Sequence, residues 1–219
     1  MASIIALQGT EYEEIFDIII EEYTEYCTNW FTKREDPLNL KKIQICNIYS
    51  FESQLDYKFD EYIHEFKRGL AILYIRIRAR IETQLNISSK VTFIGRVKTE
   101  DSLFSKIHRK FHEQDGHFPV NSCINDLLGF RIIDPFFNEN ISEIKYILEK
   151  YKEKGFKVRN LDRINKGYIA YHIYFRLDNT TFPIEVQIWD KTNEKSNLEL
   201  HEIYKKGYIK DVINEYTKL

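Results

Sequence analysis

Residues 95–110 read GRVKTEDSLFSKIHRK, and residues 125–134 read NDLLGFRIID. Alternation over residues 91–98 predicts a strand, and residues 101–113 predict a helix that follows it. Side chains two apart on a strand, or three and four apart on a helix, lie on one face. The basic and hydroxyl side chains at these spacings are Arg96, Lys98, Ser102, Lys106 and Arg109. A strand leading into a helix would aim them at one pocket suited to a polyphosphate, where the helix N-terminus adds N–H donors.

The second segment combines a carboxylate with an arginine. Asp126 stands at a predicted turn into a buried strand, residues 129–134, and Arg131 lies among the apolar residues of that strand. A carboxylate beside a basic pocket is the usual way to hold Mg²⁺ on a nucleotide. A charge in an apolar run needs a partner or a ligand, unless Arg131 faces solvent on the polar side of the strand. No GxxxxGK[ST] or GxGxxG segment occurs, so side chains must meet the phosphate charge.

The composition indicates a soluble globular protein without an overall basic field. The chain has 219 residues, 43% of them hydrophobic and 30% charged, and a formal net charge of −2. A general attraction to nucleic acid is therefore excluded, and any such contact needs a local basic patch. Three cysteines without a CxxC segment predict reduced thiols in the cytoplasm. No apolar run approaches the ~20 residues that a membrane span needs, so no membrane partner is expected.

Apolar periodicity predicts an N-terminal helical extension, residues 1–89, packed on an α+β core, residues 90–219. The extension has helices over residues 10–30 and 51–87, and Gly69 weakens the second by about 1 kcal/mol relative to Ala. Further elements are predicted in the core: a short helix at 122–127, a helix at 139–154, strands at 156–160, 169–177 and 181–188 with a hairpin turn at Asp178-Asn179, and helices at 193–206 and 208–217. This order gives a mixed β-sheet flanked by helices.

The motifs resemble those of the synthetase domain of the RelA/SpoT proteins. The pattern R-x-K-x3-S-x3-K-x2-R followed by D-x2-G-x-R is similar to the family's first two motifs. The later motifs follow in the same order, as Gly167-Tyr168-x3-His172, Glu185-Val186-Gln187-Ile188 and His201-x2-Tyr204-Lys205. The resemblance covers roughly residues 90–206 and implies a nucleotidyltransferase-like sheet.

The resemblance implies an ATP-dependent pyrophosphokinase that moves the β,γ-pyrophosphate of ATP to a 3′-hydroxyl. Asp126 and Glu185 would be the catalytic acidic pair, with Asp126 on Mg²⁺ and Glu185 at the acceptor hydroxyl as metal ligand or base. The ATP-binding residues would be Arg96, Lys98, Ser102, Lys106, Arg109 and Arg131, of which the two arginines Arg96 and Arg131 stack on the adenine. The acceptor-binding residues would be Tyr168, His172 and Gln187.

Three departures from the family's pattern fall on the acceptor side. Ile169-Ala170 replaces the Arg-Ser of GYRS, Trp189-Asp190 replaces the Arg-Thr of EIQIRT, and Ile164 stands where a lysine is usual. Because fewer cations remain for the 5′-phosphates of GDP or GTP, these losses slightly favour the other acceptor, the 3′ CCA end of tRNA. The few residues after Lys205 also favour tRNA as the acceptor.

The tRNA acceptor implies a translation-blocking toxin that is neutralised by a protein antitoxin. An alarmone synthetase that makes (p)ppGpp from GDP or GTP is the alternative. A third hypothesis, a catalytically inactive nucleotide-binding regulator, is disfavoured because both Asp126 and Glu185 are present. The basic side chains that could bind tRNA are Lys33, Arg34, Lys41, Lys42, Arg76 and Arg80.

Overall fold

The centre of the protein is one five-stranded β-sheet. The computed structural model describes residues 7–34, 37–50, 52, 54–165 and 167–203. The strands are β1 (Thr92–Val97), β2 (Leu128–Asp134), β3 (Lys157–Asn165), β4 (Tyr168–Arg176) and β5 (Ile184–Asp190). Their order across the sheet is β1-β2-β5-β4-β3, and among these described strands only β2 and β5 pair in parallel. The predicted α+β class with a mixed sheet is confirmed.

Helices flank this sheet. They are α1 (Gly9–Phe31), α2 (Tyr57–Arg68), α3 (Leu70–Leu85), α4 (Glu100–His112), α5 (Val120–Cys123) and α6 (Phe137–Glu153), and residues 194–203 are also helical. None of the helices in the described ranges has both the length and the apolarity that crossing a bilayer requires. The predicted helix at 208–217 and the end of the one at 193–206 lie outside the described residues.

Two helix predictions are wrong in detail. The single helix expected over residues 51–87 begins only at Tyr57, where the Asp56 side chain accepts the Phe59 N–H at 3.0 Å, and it is interrupted at Gly69. The high conformational freedom of glycine favours such an interruption. The short helix expected at 122–127 ends at Cys123, so that Asp126 lies in an irregular segment before β2.

One face of the sheet carries the main hydrophobic core. The alternate β4 residues Tyr171, Ile173 and Phe175 are buried there. Helices α1 and α6 cover this face, because the Phe175 ring lies 5.5 Å from that of Phe16 and 5.7 Å from that of Tyr151. Burying each such side chain contributes about 1.5–3 kcal/mol. The N-terminal helices therefore pack on the sheet, whereas a domain boundary at residue 89 stays a prediction.

Ion pairs join α1 to α3. Arg80 reaches Glu21 at 2.6 Å and Glu22 at 3.3 Å, while Arg76 reaches Glu22 at 2.6 Å and Glu25 at 3.0 Å. Arg76 and Arg80, two of the side chains expected to bind tRNA, are thus paired with acidic side chains of α1.

A glycine sets the approach of α3 to the edge strand β1. A Cβ added to Gly95 would lie 2.5 Å from the Tyr74 ring and 2.9 Å from the Phe130 ring. Only glycine fits without displacing these aromatic side chains. The close approach fixes β1, and with it the start of the segment that runs to α4.

The connection between β4 and β5, where a hairpin turn was predicted at Asp178-Asn179, is a loop over residues 177–183. The Asp178 carboxylate accepts the N–H groups of Thr180 and Thr181 at 2.7 and 3.0 Å, which is an Asx-type turn. Just after β5, the buried Asn197 side chain accepts the Ile169 N–H at 2.9 Å and donates to the Ile169 carbonyl at 2.7 Å. This amide continues the pairing of β4 beyond the end of β5 and anchors the helical residues 194–203.

Candidate active site

The sheet face opposite the main core carries most of the predicted site. Alternate residues of three adjacent strands share this face, namely Gly129 and Arg131 on β2, Glu185, Gln187 and Trp189 on β5, and Tyr168, His172 and Tyr174 on β4. The register pairs Arg131 with Gln187, Gln187 with His172, and Glu185 with both Gly129 and Tyr174. Residues far apart in sequence therefore meet at the centre of the sheet.

Two lysines converge on Asp126. The Lys98 Nζ lies 2.8 Å from Oδ2 of Asp126, and the Lys106 Nζ lies 2.9 Å from Oδ1 and 2.7 Å from the Asn125 side-chain oxygen. Lys98 is placed by its backbone, whose N–H donates to the Leu127 carbonyl at 2.8 Å directly after β1. The strand-to-helix geometry inferred from the sequence thus brings Lys98 and Lys106 together.

The charges of this cluster depend on one another. Burial alone would raise the pKa of Asp126, but the positive charges of Lys106 and Lys98 outweigh it and hold that pKa well below its usual range. Burial lowers the pKa of Lys98, and Asp126 partly offsets this effect. Asp126 is consequently an ionised carboxylate, and the two cations are held together by one internal anion.

The other predicted phosphate ligands are less tightly gathered. Arg96 is exposed on β1, and its charge is close enough to contribute to lowering the pKa values of Lys98 and Arg131. Ser102 accepts a hydrogen bond from the Thr99 hydroxyl at 2.9 Å, and Arg109 forms an exposed ion pair with Glu113 at 3.1 Å. The roles of these residues in ATP binding stay predictions.

Arg131 is held by two side chains of β5. Its Nε and one terminal nitrogen donate to the Gln187 side-chain oxygen at 3.2 and 3.1 Å. Its guanidinium carbon lies 3.6 Å from the centre of the Trp189 ring. Burial lowers the pKa of Arg131 to about 10, which still leaves it protonated at neutral pH. The arginine therefore has partner side chains on the site face.

Glu185 is the centre of a hydrogen-bond network. Its Oε1 lies 3.0 Å from Nδ1 of His172 and accepts the Tyr174 hydroxyl at 2.9 Å, and its Oε2 accepts the Gln187 amide at 2.9 Å. Burial would raise the pKa of Glu185, but the hydrogen bond and charge of His172 outweigh it, so that the pKa is lowered. Because a carboxylate only accepts, Nδ1 of His172 carries a proton, and Nε2 lies 3.0 Å from the Tyr168 hydroxyl.

Asp126 and Glu185 could hold a magnesium ion together with substrate phosphates. The charge of Asp126 acts to raise the pKa of Glu185, so the two carboxylates are near each other. Nothing larger than glycine stands beside them at position 129, where a Cβ would lie 3.6 Å from Oε2 of Glu185. Within the described part of the chain, no three His, Cys, Asp or Glu side chains form a metal cluster. Two ionised carboxylates fit Mg²⁺, which takes one or two of them and completes its shell with phosphates and water.

A short hairpin carries Tyr168, one of the predicted acceptor-binding residues. Strands β3 and β4 pair as far as Asn165 and Tyr168, and the Tyr168 ring lies edge-on to Trp189 at 6.0 Å. Burial raises the pKa of Tyr168 to about 12. His172 and Gln187 thus contact Glu185 directly, Tyr168 reaches it through His172, and Gln187 also contacts Arg131. The acceptor-binding roles of these residues stay predictions.

Sequence reasoning gave no role to three residues of this site, namely Tyr174, Arg163 and Trp189. Tyr174 bonds to Glu185, and its position two residues after His172 on one strand could have indicated this. Burial raises the pKa of Tyr174, and Arg163 partly offsets it through a hydrogen bond and its charge. Trp189 stood out as a departure from the family's pattern, but its contact with Arg131 depends on the β2–β5 register, which alternation alone does not specify.

None of the predicted tRNA-binding side chains stands on a strand of this sheet, and their environments differ. Arg34 pairs with Glu65 and its guanidinium lies 4.5 Å from the Trp30 ring centre, and Arg76 and Arg80 pair with α1. Three exposed lysines remain at Lys33, Lys41 and Lys42. His201 is in the helical segment, whereas Tyr204 and Lys205 lie outside the described residues.

Comparison with known proteins identifies the family. A family model described as the region found in RelA/SpoT proteins matches residues 95–208, slightly more than half of the chain. The class that this match defines is the pyrophosphokinases, which are transferases. The chain belongs to the RelA/SpoT family.

Two further comparisons give little. A solved structure of a GTP pyrophosphokinase family protein from Streptococcus pneumoniae is 21% identical, with a TM-score of 0.41, and the match covers 73% of this chain and 96% of that one. No curated protein sequence matches the chain.

Proposed function

We propose that this pyrophosphokinase transfers the β,γ-pyrophosphate of ATP to the 3′-hydroxyl at the CCA end of tRNA. The observation that carries the transfer is the internal ion cluster beside Glu185. Lys98 and Lys106 hold one anion, Asp126, at 2.8 and 2.9 Å, and a polyphosphate offers the same lysines more negative charge. Charge-assisted hydrogen bonds of this kind are about twice as strong as neutral ones.

Residues from different elements would bind different parts of the substrate. Lys98 and Lys106 would bind the phosphates, and Asp126 with Glu185 would hold Mg²⁺. When bound, the ion neutralises charge on the transferred group. Arg131 would offer a guanidinium plane to the adenine, with Arg96 on the neighbouring strand β1.

The transfer step needs an acceptor hydroxyl beside Glu185. The 3′-oxygen would form a bond to the β-phosphorus while its proton passes to the Glu185 carboxylate. The bond between the β-phosphorus and the oxygen that bridges to the α-phosphorus would break, and AMP would leave. His172 and Tyr174, at 3.0 and 2.9 Å from Oε1 of Glu185, would keep the carboxylate oriented towards the hydroxyl.

The short β3–β4 hairpin favours a polynucleotide end as acceptor. With the strands paired up to Asn165 and Tyr168, the described residues offer no long loop to fold over a free nucleotide. Ile164 is 75% exposed at the position where a lysine was expected, so this side of the site offers little charge to a 5′-polyphosphate. A tRNA would be held instead along exposed lysines outside the site, and its modification would block translation unless a protein antitoxin intervened.

A guanine nucleotide is the second candidate acceptor. Arg163 favours it, because this exposed cation on β3 lies close enough to Tyr174 and Tyr168 to lower their pKa values against the effect of burial. It could meet phosphates in place of the missing lysine. With GDP or GTP as acceptor, the product would be (p)ppGpp.

A labelling experiment separates the two acceptors. The protein is incubated with Mg²⁺ and γ-³²P-ATP together with deacylated tRNA, GDP, GTP or ADP, and the labelled product is identified. We expect label in tRNA, lost when its 3′-terminal adenosine is removed. Rapid labelling of GDP with none of tRNA at low salt would refute the tRNA proposal and leave the alarmone synthetase.

The exposed lysines provide a matched test of tRNA binding. Replacing Lys33, Lys41 and Lys42 together by Gln should slow tRNA labelling and reduce the slope of log rate against log salt by roughly two, since each phosphate contact contributes about 0.7–0.9. ATP binding should not change. The control triple variant, with the same charge change, replaces the exposed Lys58, Lys154 and Lys195. Equal effects of both triple variants would mean that net charge, and not this patch, governs the rate.

A further inference from the structure

The guanidinium of Arg131 is fixed on an edge and on a face by two residues of the neighbouring strand. Gln187 accepts two of its N–H groups through one oxygen, at 3.2 and 3.1 Å. Trp189, which is fully buried, lies under the guanidinium plane with 3.6 Å between the ring centre and Cζ. Contacts of both kinds restrict a side chain that is otherwise long and rich in rotamers.

The amide of Gln187 has one orientation that satisfies its surroundings. Arg131 can only donate and the Glu185 carboxylate can only accept. The Gln187 oxygen must therefore face Arg131, and its nitrogen must face Oε2 of Glu185, which it reaches at 2.9 Å. One side chain thus connects the arginine of β2 to the carboxylate of β5.

The surroundings of Arg131 make this fixation necessary. The positive charge of Arg96 and burial both act to lower the pKa of Arg131, so neither supplies an attraction that would hold the guanidinium in place. Tyr168 and Glu185 oppose these effects, but the direct contacts are those with Gln187 and Trp189. Without them, Arg131 has no described hydrogen bond that orients its plane.

We propose that Gln187 and Trp189 are positioning residues of the donor site. Together they hold the guanidinium of Arg131 so that the donor base stacks on the face opposite Trp189, in a base–arginine–tryptophan stack. Gln187 in addition sets the distance between Glu185 and the base platform, which is the guanidinium of Arg131 on which the donor base stacks. The proposal rests on the proposed use of ATP as donor, and it assigns Gln187 to the donor side, where the acceptor side had been expected.

Binding measurements separate base positioning from phosphate binding. Calorimetry with Mg²⁺ compares a non-hydrolysable ATP analogue with inorganic tripolyphosphate, which has the phosphates but no base. We expect Trp189→Leu and Gln187→Met to weaken analogue binding roughly five- to thirtyfold, the range of a desolvated cation–π contact. Tripolyphosphate binding should change less than twofold. Trp189→Phe, which keeps an aromatic face, should restore most of the analogue affinity.

Kinetics distinguish the two positioning residues. Trp189→Leu should raise KM for ATP, whereas Gln187→Met should raise KM and also lower kcat, because Gln187 contacts both Arg131 and Glu185. In an Arg131→Met background, Trp189→Leu and Gln187→Met should weaken analogue binding no further, since the group that they position is gone. The control is Trp30→Leu, which removes the other described arginine–tryptophan contact, at 4.5 Å from Arg34, and should leave analogue binding as it was.

Each outcome bears on one of the two proposals. If Trp189→Leu and Gln187→Met weakened the analogue and tripolyphosphate equally, or if their losses were additive in the Arg131→Met background, the positioning roles would be overturned while the use of ATP stands. An unmodified protein that binds tripolyphosphate but gains nothing from the nucleoside would overturn the proposed ATP donor, and the base platform with it.

Discussion

Replacing Asp126 by Asn tests whether the ion cluster is arranged as the structure indicates. The variant keeps the shape of the side chain but removes the negative charge between Lys98 and Lys106. The Lys98 side chain is only 9% exposed and that of Lys106 19%, so both lysines would be left buried without a counter-ion. Removing one partner of a buried ion pair costs about 3–5 kcal/mol. We expect the lower end, about 3 kcal/mol, because Lys106 retains Asn125 as a partner.

The loss is measured by urea unfolding of the protein without nucleotide. For a chain of this size, 3 kcal/mol also corresponds to a fall of roughly 6–12 °C in the unfolding temperature. Tripolyphosphate should then restore the stability of Asp126→Asn by at least as much as it stabilises the unmodified protein, because the added anion replaces the lost carboxylate. Pyrophosphate transfer should fall sharply, since one of the two proposed Mg²⁺ ligands has lost its charge.

Glu113 offers the matched control. It also pairs with two basic side chains, Arg109 and Lys110 on α4, but its side chain is 40% exposed. Glu113→Gln should therefore cost less than about 1 kcal/mol. Suppose instead that Asp126→Asn lowers the free energy of unfolding no more than Glu113→Gln does and responds to tripolyphosphate no more than the unmodified protein. That result would show that Asp126 does not neutralise the lysines.

Three further predictions concern the frame of the site. Tyr12 donates to the buried Asp134 at 2.5 Å, and burial raises its pKa well above the usual value. The contribution of Tyr12 to the free energy of unfolding is fully present below about pH 10. Above that pH it falls by about 1.4 kcal/mol per pH unit, because the Tyr12 hydroxyl ionises only in the unfolded chain. Tyr12→Phe should flatten urea-unfolding stability against pH between pH 10 and 11, and an unchanged slope would refute this. Gly95→Ala should cost about 1–3 kcal/mol in the same assay, because its Cβ would lie 2.5 Å from the Tyr74 ring. Asn197→Ala should cost a similar amount by leaving two backbone groups of Ile169 unpaired, and faster amide exchange at Ile169 would confirm the cause.

The periodic parts of the fold could be predicted from sequence. The strand expected at residues 91–98 is observed at 92–97, and the helix expected at 139–154 is observed at 137–153. Their apolar positions alternate or recur every three to four residues, so local pattern decides them. The helix expected over residues 51–87 was wrong, because the break at Gly69 reflects glycine's backbone freedom more than a change in apolar period.

Sequence spacing foresaw one cluster of the candidate site but not the contacts between its strands. The spacing of Lys98 and Lys106 correctly brought them to one place, since strand and helix geometry fix such positions. The contacts of Arg131 with Gln187 and Trp189 depend on the parallel register of two strands over 50 residues apart. No local pattern sets that register, so these contacts were not foreseen. The predicted roles, including acceptor binding by Gln187, remain predictions for the experiments above.

The strand order also bears on when the enzyme can become active during its synthesis. β5, which carries Glu185, is the last of the described strands to leave the ribosome, yet it lies between β2 and β4. Until it emerges, the pair β1–β2 and the pair β3–β4 have no strand to join them, and nascent chains generally fold in units as those units are completed. A growing chain would therefore expose two separate antiparallel strand pairs without Glu185, the carboxylate proposed to be catalytic. For a protein that acts on the translation machinery, as proposed here, such a chain could not interrupt its own production before the central strand is made.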